Sequence, residues 1–201
     1  IPIIWENIGD PVFKGEKPPE WIKKIVGRAI KEDLTFAYSP TKGLDETREY
    51  IARERNKEGG IQITPDDILF FNGLGDGISH LYRNLNPRAR IIGPDPAYPT
   101  HSSAEAAHSD KPHITYKLDP EKEWQPGIAD MEKKIKMNKN IVGILIVNPD
   151  NPTGFIYPQK TIRVIVALAK KYKLFIISDE IYSNLAFKGS GMKKLASVID
   201  G

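Results

Sequence analysis

The chain has 201 residues, 40% of them hydrophobic and 27% charged, with a formal net charge of +3. That is the balance of a soluble globular protein, long enough for one large domain or one and a half small ones. The absence of cysteine excludes disulfides and thiolate metal sites and fits a cytoplasmic protein, and a small charge spread along the chain argues against nucleic acid as a partner.

The longest apolar run, residues 141–147, is too short to cross a bilayer, so no membrane association is expected. No charged leader opens the chain, and without an initiating Met its front is expected to be trimmed. Residues 1–17 are rich in Pro and Gly and read as an irregular arm. From Pro18 to Asp33 a Pro pair precedes one stripe of Trp21, Ile22, Ile25, Val26 and Ala29, which predicts an amphipathic helix. Residues 36–42 form a turn-rich connection. Leu44 to Asn56 reads as a charged helix that buries Leu44, Tyr50 and Ile51, and Gly59-Gly60 ends it. Thr64 to Asp67 is a helix-start or turn signal.

Ile68 to Phe71 is expected as a short strand. It leads through Asn72-Gly73-Leu74-Gly75-Asp76-Gly77 into a helix from Ile78 to Leu85. Arg90 to Gly93 reads as a strand, Thr100 to His108 as an Ala-rich helix and His113 to Leu118 as an alternating strand. Trp124 to Pro126 is a loop. In the helix from Ile128 to Lys139, the lysines at 133, 134, 136 and 139 form a solvated face opposite Met131 and Ile135. Ile141 to Val147 and Leu174 to Ile177 have the composition of fully buried strands. Between them, Ile162, Ile165, Val166 and Ala169 recur at helical spacing. Strand, helix and strand of this length predict a right-handed crossover in a parallel sheet. Residues 188–191 form a turn. The alternation predicts an α/β fold, a three-layer αβα sandwich with a mostly parallel sheet.

Polar residues gather just past the strand ends: Asn148 and Asn151 after one run, Asp179 and Tyr182 after the next. In open α/β sheets that edge is where ligands bind. A carboxylate such as Asp179 at the end of a buried strand is costly unless a cation or donors offset it. A cationic ring nitrogen and a buried helix cap are both compatible with it. Gly73, Gly75 and Gly77 between a strand and a helix let backbone N–H groups approach a phosphate. They also permit a dinucleotide fingerprint with Asp95 as its acid, or a tight turn alone; against the fingerprint, Ile78 stands where its third glycine belongs. Tyr98 could stack on a flat ring or be an ordinary half-buried tyrosine. Residues 151–154 (NPTG) could be only a turn.

Together these motifs resemble the class I/II aminotransferases, the pyridoxal-phosphate (PLP) enzymes of fold type I. The resemblance runs from NIGDP at 7–11 to SDEIY at 178–182, and VNPDNPTG at 147–154 is its strongest part. It implies the large PLP-binding domain, with residues 1–36 as an arm and helix and 37–201 as a partial large domain. By the same resemblance, Asp179 would pair with the pyridine nitrogen, and Tyr182 and Asn151 would hydrogen-bond the ring's phenolic oxygen. Tyr98 would stack on the ring. The backbone of Gly73, Leu74 and Gly75 would bind the phosphate, with fewer side-chain contacts than the family usually has there. Tyr38 would reach the phosphate of a neighbouring subunit, which implies a homodimer. Gly9 would lie over the substrate carboxylate. The implied substrates are an amino acid and a 2-oxo acid, and no metal is implied. The family's Schiff-base lysine and its two anion-binding arginines would fall beyond Gly201; Lys188 does not match that motif. The chain alone is therefore expected to lack a catalytic nucleophile. A carbon–sulfur lyase or synthase on the same scaffold would share every residue named; a non-catalytic binding or regulatory protein that keeps the fold is the other alternative, and a lysine in the expected motif after Gly201 would favour an enzyme over it.

Overall fold

The computed structural model describes residues 9–199. The chain divides into two compact units, residues 1–44 and 45–201. The opening of the arm, residues 1–8, with the first two residues of the NIGDP motif, lies outside the described residues.

In the first unit, helix α1 (Glu20–Ala29) follows Pro19, whose fixed φ of −54° starts the chain along it. The expected apolar stripe forms, but none of its residues is buried, and Trp21 and Ile25 are more than half exposed. A short 3₁₀ turn, Asp33–Phe36, follows, and the Thr35 hydroxyl donates to the carbonyl of Ala29 at 2.6 Å.

The second unit is organised by one sheet. Its helices are α2 (Asp45–Asn56), α3 (Leu74–Arg83), α4 (Pro99–Ser109), α5 (Ile128–Met137), α6 (Gln159–Tyr172) and the short α7 (Leu195–Val198). Its strands are β1 (Arg90–Asp95), β2 (Ile114–Asp119), β3 (Gln125–Pro126), β4 (Ile141–Val147) and β5 (Phe175–Asp179), in the order β3-β2-β1-β4-β5. All pairs are parallel except the two-residue β2–β3 bridge. The chain leaves β1 to one side for β2 and returns to its other side for β4. The carboxyl ends of β1 and β4 therefore flank the point where strand order reverses.

Alternation along the strands sends side chains to opposite faces. Ile92, Tyr116, Leu118, Ile144 and Ile146 face α5 and α6, packing against Met131, Ile135, Ile162, Ile165 and Leu168. Tyr116 and Tyr157 are fully buried there, their hydroxyls 3.1 Å apart, and the Tyr116 hydroxyl donates to the carbonyl of Leu145. Ile91, Leu145 and Val147 face the other way, against Ile78 and Tyr82 of α3 and Ala104 of α4. The three-layer sandwich is as the alternation predicts.

Five local expectations are corrected. Residues 68–71 are not a strand: no described strand runs beside them, and without a ladder partner Leu69, Phe70 and Phe71 stay exposed. The helix expected from Ile78 begins four residues earlier, so Gly75 and Gly77 are helical and only Gly73, at φ +85°, is needed for the turn. In α2 the buried residues are Arg48 and Ala52, while Leu44 and Tyr50 are exposed; Arg48 is drawn in by Asp45 and the Pro65 carbonyl. The run after Leu174 is not fully buried, because β5 lies at the sheet edge and Phe175 is 40% exposed. Residues 125–126, expected in a loop, form the bridge β3.

One buried ion pair holds α4 against β1. Arg90 binds both carboxylate oxygens of Glu105, which is completely buried, and also donates to the carbonyl of Pro112 at 2.7 Å. Glu105→Ala leaves that guanidinium without its counter-ion, at an expected cost of about 3 kcal/mol or more. By contrast, Lys57→Ala, which breaks the exposed Lys57–Glu54 pair, should stay within about 0.5 kcal/mol. Urea unfolding of both variants measures the difference.

Candidate functional site

Three strand ends feed one cleft of about 110 Å³, lined by Leu74, Gly75, Tyr98, Val147, Asn151, Asp179, Ile181 and Tyr182. Parallel pairing places Asp179 level with Val147, and the N–H of Asn148 donates to the carbonyl of Asp179 at 2.8 Å. The ladder thus carries the carboxylate to the bottom of the cleft, where Asp179 is 5% exposed.

Two contacts offset that burial. Oδ1 accepts the N–H of Ile181 at 3.1 Å, and Oδ2 lies 2.8 Å from Nε2 of His101, itself 2% exposed. With the carboxylate ionised, Nε2 is the donor of that contact, since a carboxylate can only accept. Nδ1 of His101 is buried with no partner. The residues after Asp179 form a turn and the 3₁₀ stretch Ser183–Leu185, so the Ile181 N–H is a local turn bond and no α-helix is capped.

Tyr98 is half-buried, and its ring meets that of His101 edge-on at 6.2 Å. Across the cleft the Asn151 amide makes one long contact, 3.5 Å, to the hydroxyl of Tyr182. The amino end of α3 opens at Leu74 and Gly75, and no side chain caps it. A Cβ built on Gly75 would meet only the Thr100 methyl group, at 4.0 Å. The first N–H groups of a helix and the positive end of its dipole suit an anion, although the Asp76 carboxylate in this first turn already accepts the N–H of Asn72 at 3.1 Å.

The cleft brings together Leu74, Gly75, Tyr98, Asn151, Asp179 and Tyr182 of the sequence-derived set, and Gly73 is the N-cap beside it. Tyr38 and Gly9 belong to the first unit, where both are exposed. Sequence reasoning missed His101. Its signal was the i, i+4 pair with Glu105 on the inner face of a helix otherwise rich in Ser and Ala. Among the described residues no group of His, Asp and Glu could hold a metal ion, and no lysine lines the cleft. Lys188 is exposed in a turn, as its context predicts.

The sequence matches the aminotransferase class I and II family over residues 2–200. The chain belongs to that family. It is 56% identical, over its whole length, to an uncharacterized aminotransferase of Methanocaldococcus jannaschii, of which it covers 46%. An S-alkyl-thiohydroximate lyase of Arabidopsis thaliana is 31% identical over 81% of the chain and 36% of its own length. Among solved structures, the alanine aminotransferase of Pyrococcus furiosus superposes with a TM-score of 0.83 at 34% identity, over 93% of this chain and 47% of that one. The chain spans about half the length of the curated relatives it matches.

The donor set fits pyridoxal phosphate. A buried carboxylate suits a protonated ring nitrogen, an amide and a phenol suit a ring hydroxyl, and an uncapped helix end with no Cβ in the way suits a phosphate. The histidine beneath the carboxylate is the part of this set most easily tested. His101→Ala leaves a buried carboxylate oxygen unsatisfied, at an expected cost of about 2 kcal/mol, and His101→Gln, which keeps a donor, should recover part of it. Urea midpoints at pH 7 measure both.

Proposed function

We propose that the chain is the large-domain part of a PLP-dependent aminotransferase that moves an amino group from an amino acid to a 2-oxo acid. The single observation that carries this reading is a buried Asp179, backed by His101, at the floor of a cleft that also holds Tyr98, Asn151 and Tyr182. The domain would run from residue 37 to 201, with residues 1–36 as an arm and helix.

In this reading Asp179 holds a proton on the ring nitrogen by favouring its charged form. His101 holds the carboxylate in place at the bottom of the cleft. Asn151 and Tyr182 hydrogen-bond the ring oxygen, and Tyr98 covers one face of the ring. The N–H groups at Leu74 and Gly75 receive the phosphate; with glycine at 75, backbone replaces a side-chain hydroxyl there. When bound, the cofactor supplies an electron sink for the pair left at the substrate Cα after proton loss. A lysine nucleophile is not supplied by the lining residues, so the chain alone should bind the cofactor without turning over. Gly9 would lie over the substrate carboxylate. The enzyme would be cytoplasmic; no helix among the described residues is long and apolar enough to cross a membrane.

A second reading, a PLP-dependent carbon–sulfur lyase, is supported by the Arabidopsis relative. The same residues would serve it. Alanine with a 2-oxo acid, against an S-alkyl conjugate, separates the two in the complete protein. Alanine is the amino acid to try first, because the Pyrococcus relative carries that name.

Asp179→Ala tests the reading. PLP titrated into the chain, followed by quenching of intrinsic fluorescence, should bind the parent and bind the variant far more weakly. In the complete enzyme, proton abstraction should slow by roughly three powers of ten, about 4 kcal/mol of barrier. Transamination within about tenfold of the parent, in a folded variant, would remove the reading's main support. Tyr38, whose motif resembles one in which that tyrosine serves the partner's phosphate, motivates a homodimer. The complete protein should sediment as a dimer; a fully active monomer would overturn that expectation.

A further inference from the structure

We infer that Asp150 is a positioning residue, which holds the loop after β4 rigid so that the Asn151 amide stays aimed into the cleft. The inference starts from the loop's own geometry and rests on the cofactor reading for its binding consequence.

Asp150 follows the strand end and precedes Asn151, yet it is only 4% exposed. Its Oδ2 accepts the hydroxyl of Thr153 at 2.6 Å and the N–H of Thr153 at 3.2 Å. Its own N–H donates to the carbonyl of Phe155 at 2.8 Å, and its carbonyl accepts the N–H of Gly154 at 2.9 Å. One residue thus closes the loop from 150 to 155 around Asn151 by four bonds. Asn148, fully buried, fastens the base: its Oδ1 accepts the N–H of Tyr157 and its amide donates to the carbonyl of Lys193.

The Asn151 side chain has no comparable hold. Its one contact is the 3.5 Å approach to Tyr182. A side chain that must meet a ligand without being pinned beforehand depends on a rigid backbone for its aim. Asp150 supplies that rigidity, and at a cost. Its other oxygen, Oδ1, is buried with no partner, and burial pushes the carboxyl pKa up. Asparagine would offer Thr153 the same acceptor oxygen without a charge, so a positioning role, which needs the acceptor and not the charge, is separable from ionisation.

The test compares Asp150→Ala, Asp150→Asn and Thr153→Val in the 201-residue chain, with Ile162→Val as a core-destabilised control. Two readouts are taken: ¹⁵N relaxation of the Asn151 backbone and side-chain amides, and PLP affinity by fluorescence quenching. Asp150→Ala should loosen residues 151–154 and weaken PLP binding about tenfold or more. Asp150→Asn should restore both. Ile162→Val should change neither, although it lowers stability. Should Asp150→Ala fail to fold, Thr153→Val, which removes the shorter side-chain bond together with the acceptor of the Phe155 N–H, must show the same loosening. Asn151 amides as ordered in the Ala and Val variants as in the parent, with PLP affinity within about twofold, would overturn the inference. A loop loosened by Asp150→Ala in a parent that binds no PLP would instead overturn the cofactor reading and leave the positioning role standing.

Discussion

A carboxylate taken out of water at the end of a strand is the constraint on which this structure turns. Asp179 cannot be buried alone; an isolated ionised carboxylate would cost far more than a domain's net stability. His101 lies 78 residues away in sequence and offsets that cost at 2.8 Å. The contact works only if α4 lies over β1 and β4 with its first turn beside the end of β5. One turn further along, Glu105 fixes that helix to Arg90 at the start of β1. Two buried polar contacts, one turn apart on α4, therefore set the floor of the cleft and the register of the helix together.

The two faces of the sheet divide the work. Under α5 and α6 the core is apolar, its polar atoms confined mostly to the Tyr116–Tyr157 pair, and burial there supplies cohesion. Under α3 and α4 the apolar cluster is smaller and is interrupted by His101, Glu105 and Arg90. His113 lies on this side as well. Its ring sits so close to β1 that a Cβ on Gly93 would come within 2.6 Å of it, so a bare strand position makes the room. Burial lowers the His113 pKa, which keeps the ring neutral beside Arg90 and His101. A face that carries charges to a ligand cannot also be the best-packed one, and the apolar face opposite compensates.

Strand order explains why the cleft lies where it does. The chain passes from β1 outward to β2 and β3, then returns across β1 to β4 and β5. The loops after β1 and β4 are thrown to opposite sides, and the gap between them cannot be filled by either. Tyr98 comes from the first loop and Asn151 from the second. Tyr182, beyond β5, closes the far wall.

The sequence by itself determined most of the elements and the sandwich. Period-2 and helical patterns are local and are imposed by burying one face of each element, so β4, α6 and α5 are legible from Ile141, Ile162 and Met131 outward. It also marked Asn151, Asp179 and Tyr182, because polar residues just past buried strands interrupt an apolar pattern that burial would otherwise continue. Only the tertiary structure decided what those groups face. Whether residues 68–71 become a strand depends on a neighbour to bond with, and composition cannot report one. Whether Arg48 or Tyr50 turns inward depends on the acceptors at Asp45 and Pro65. That His101 meets Asp179 depends on how α4 crosses the sheet, a distance set by chain packing and not by spacing along the chain.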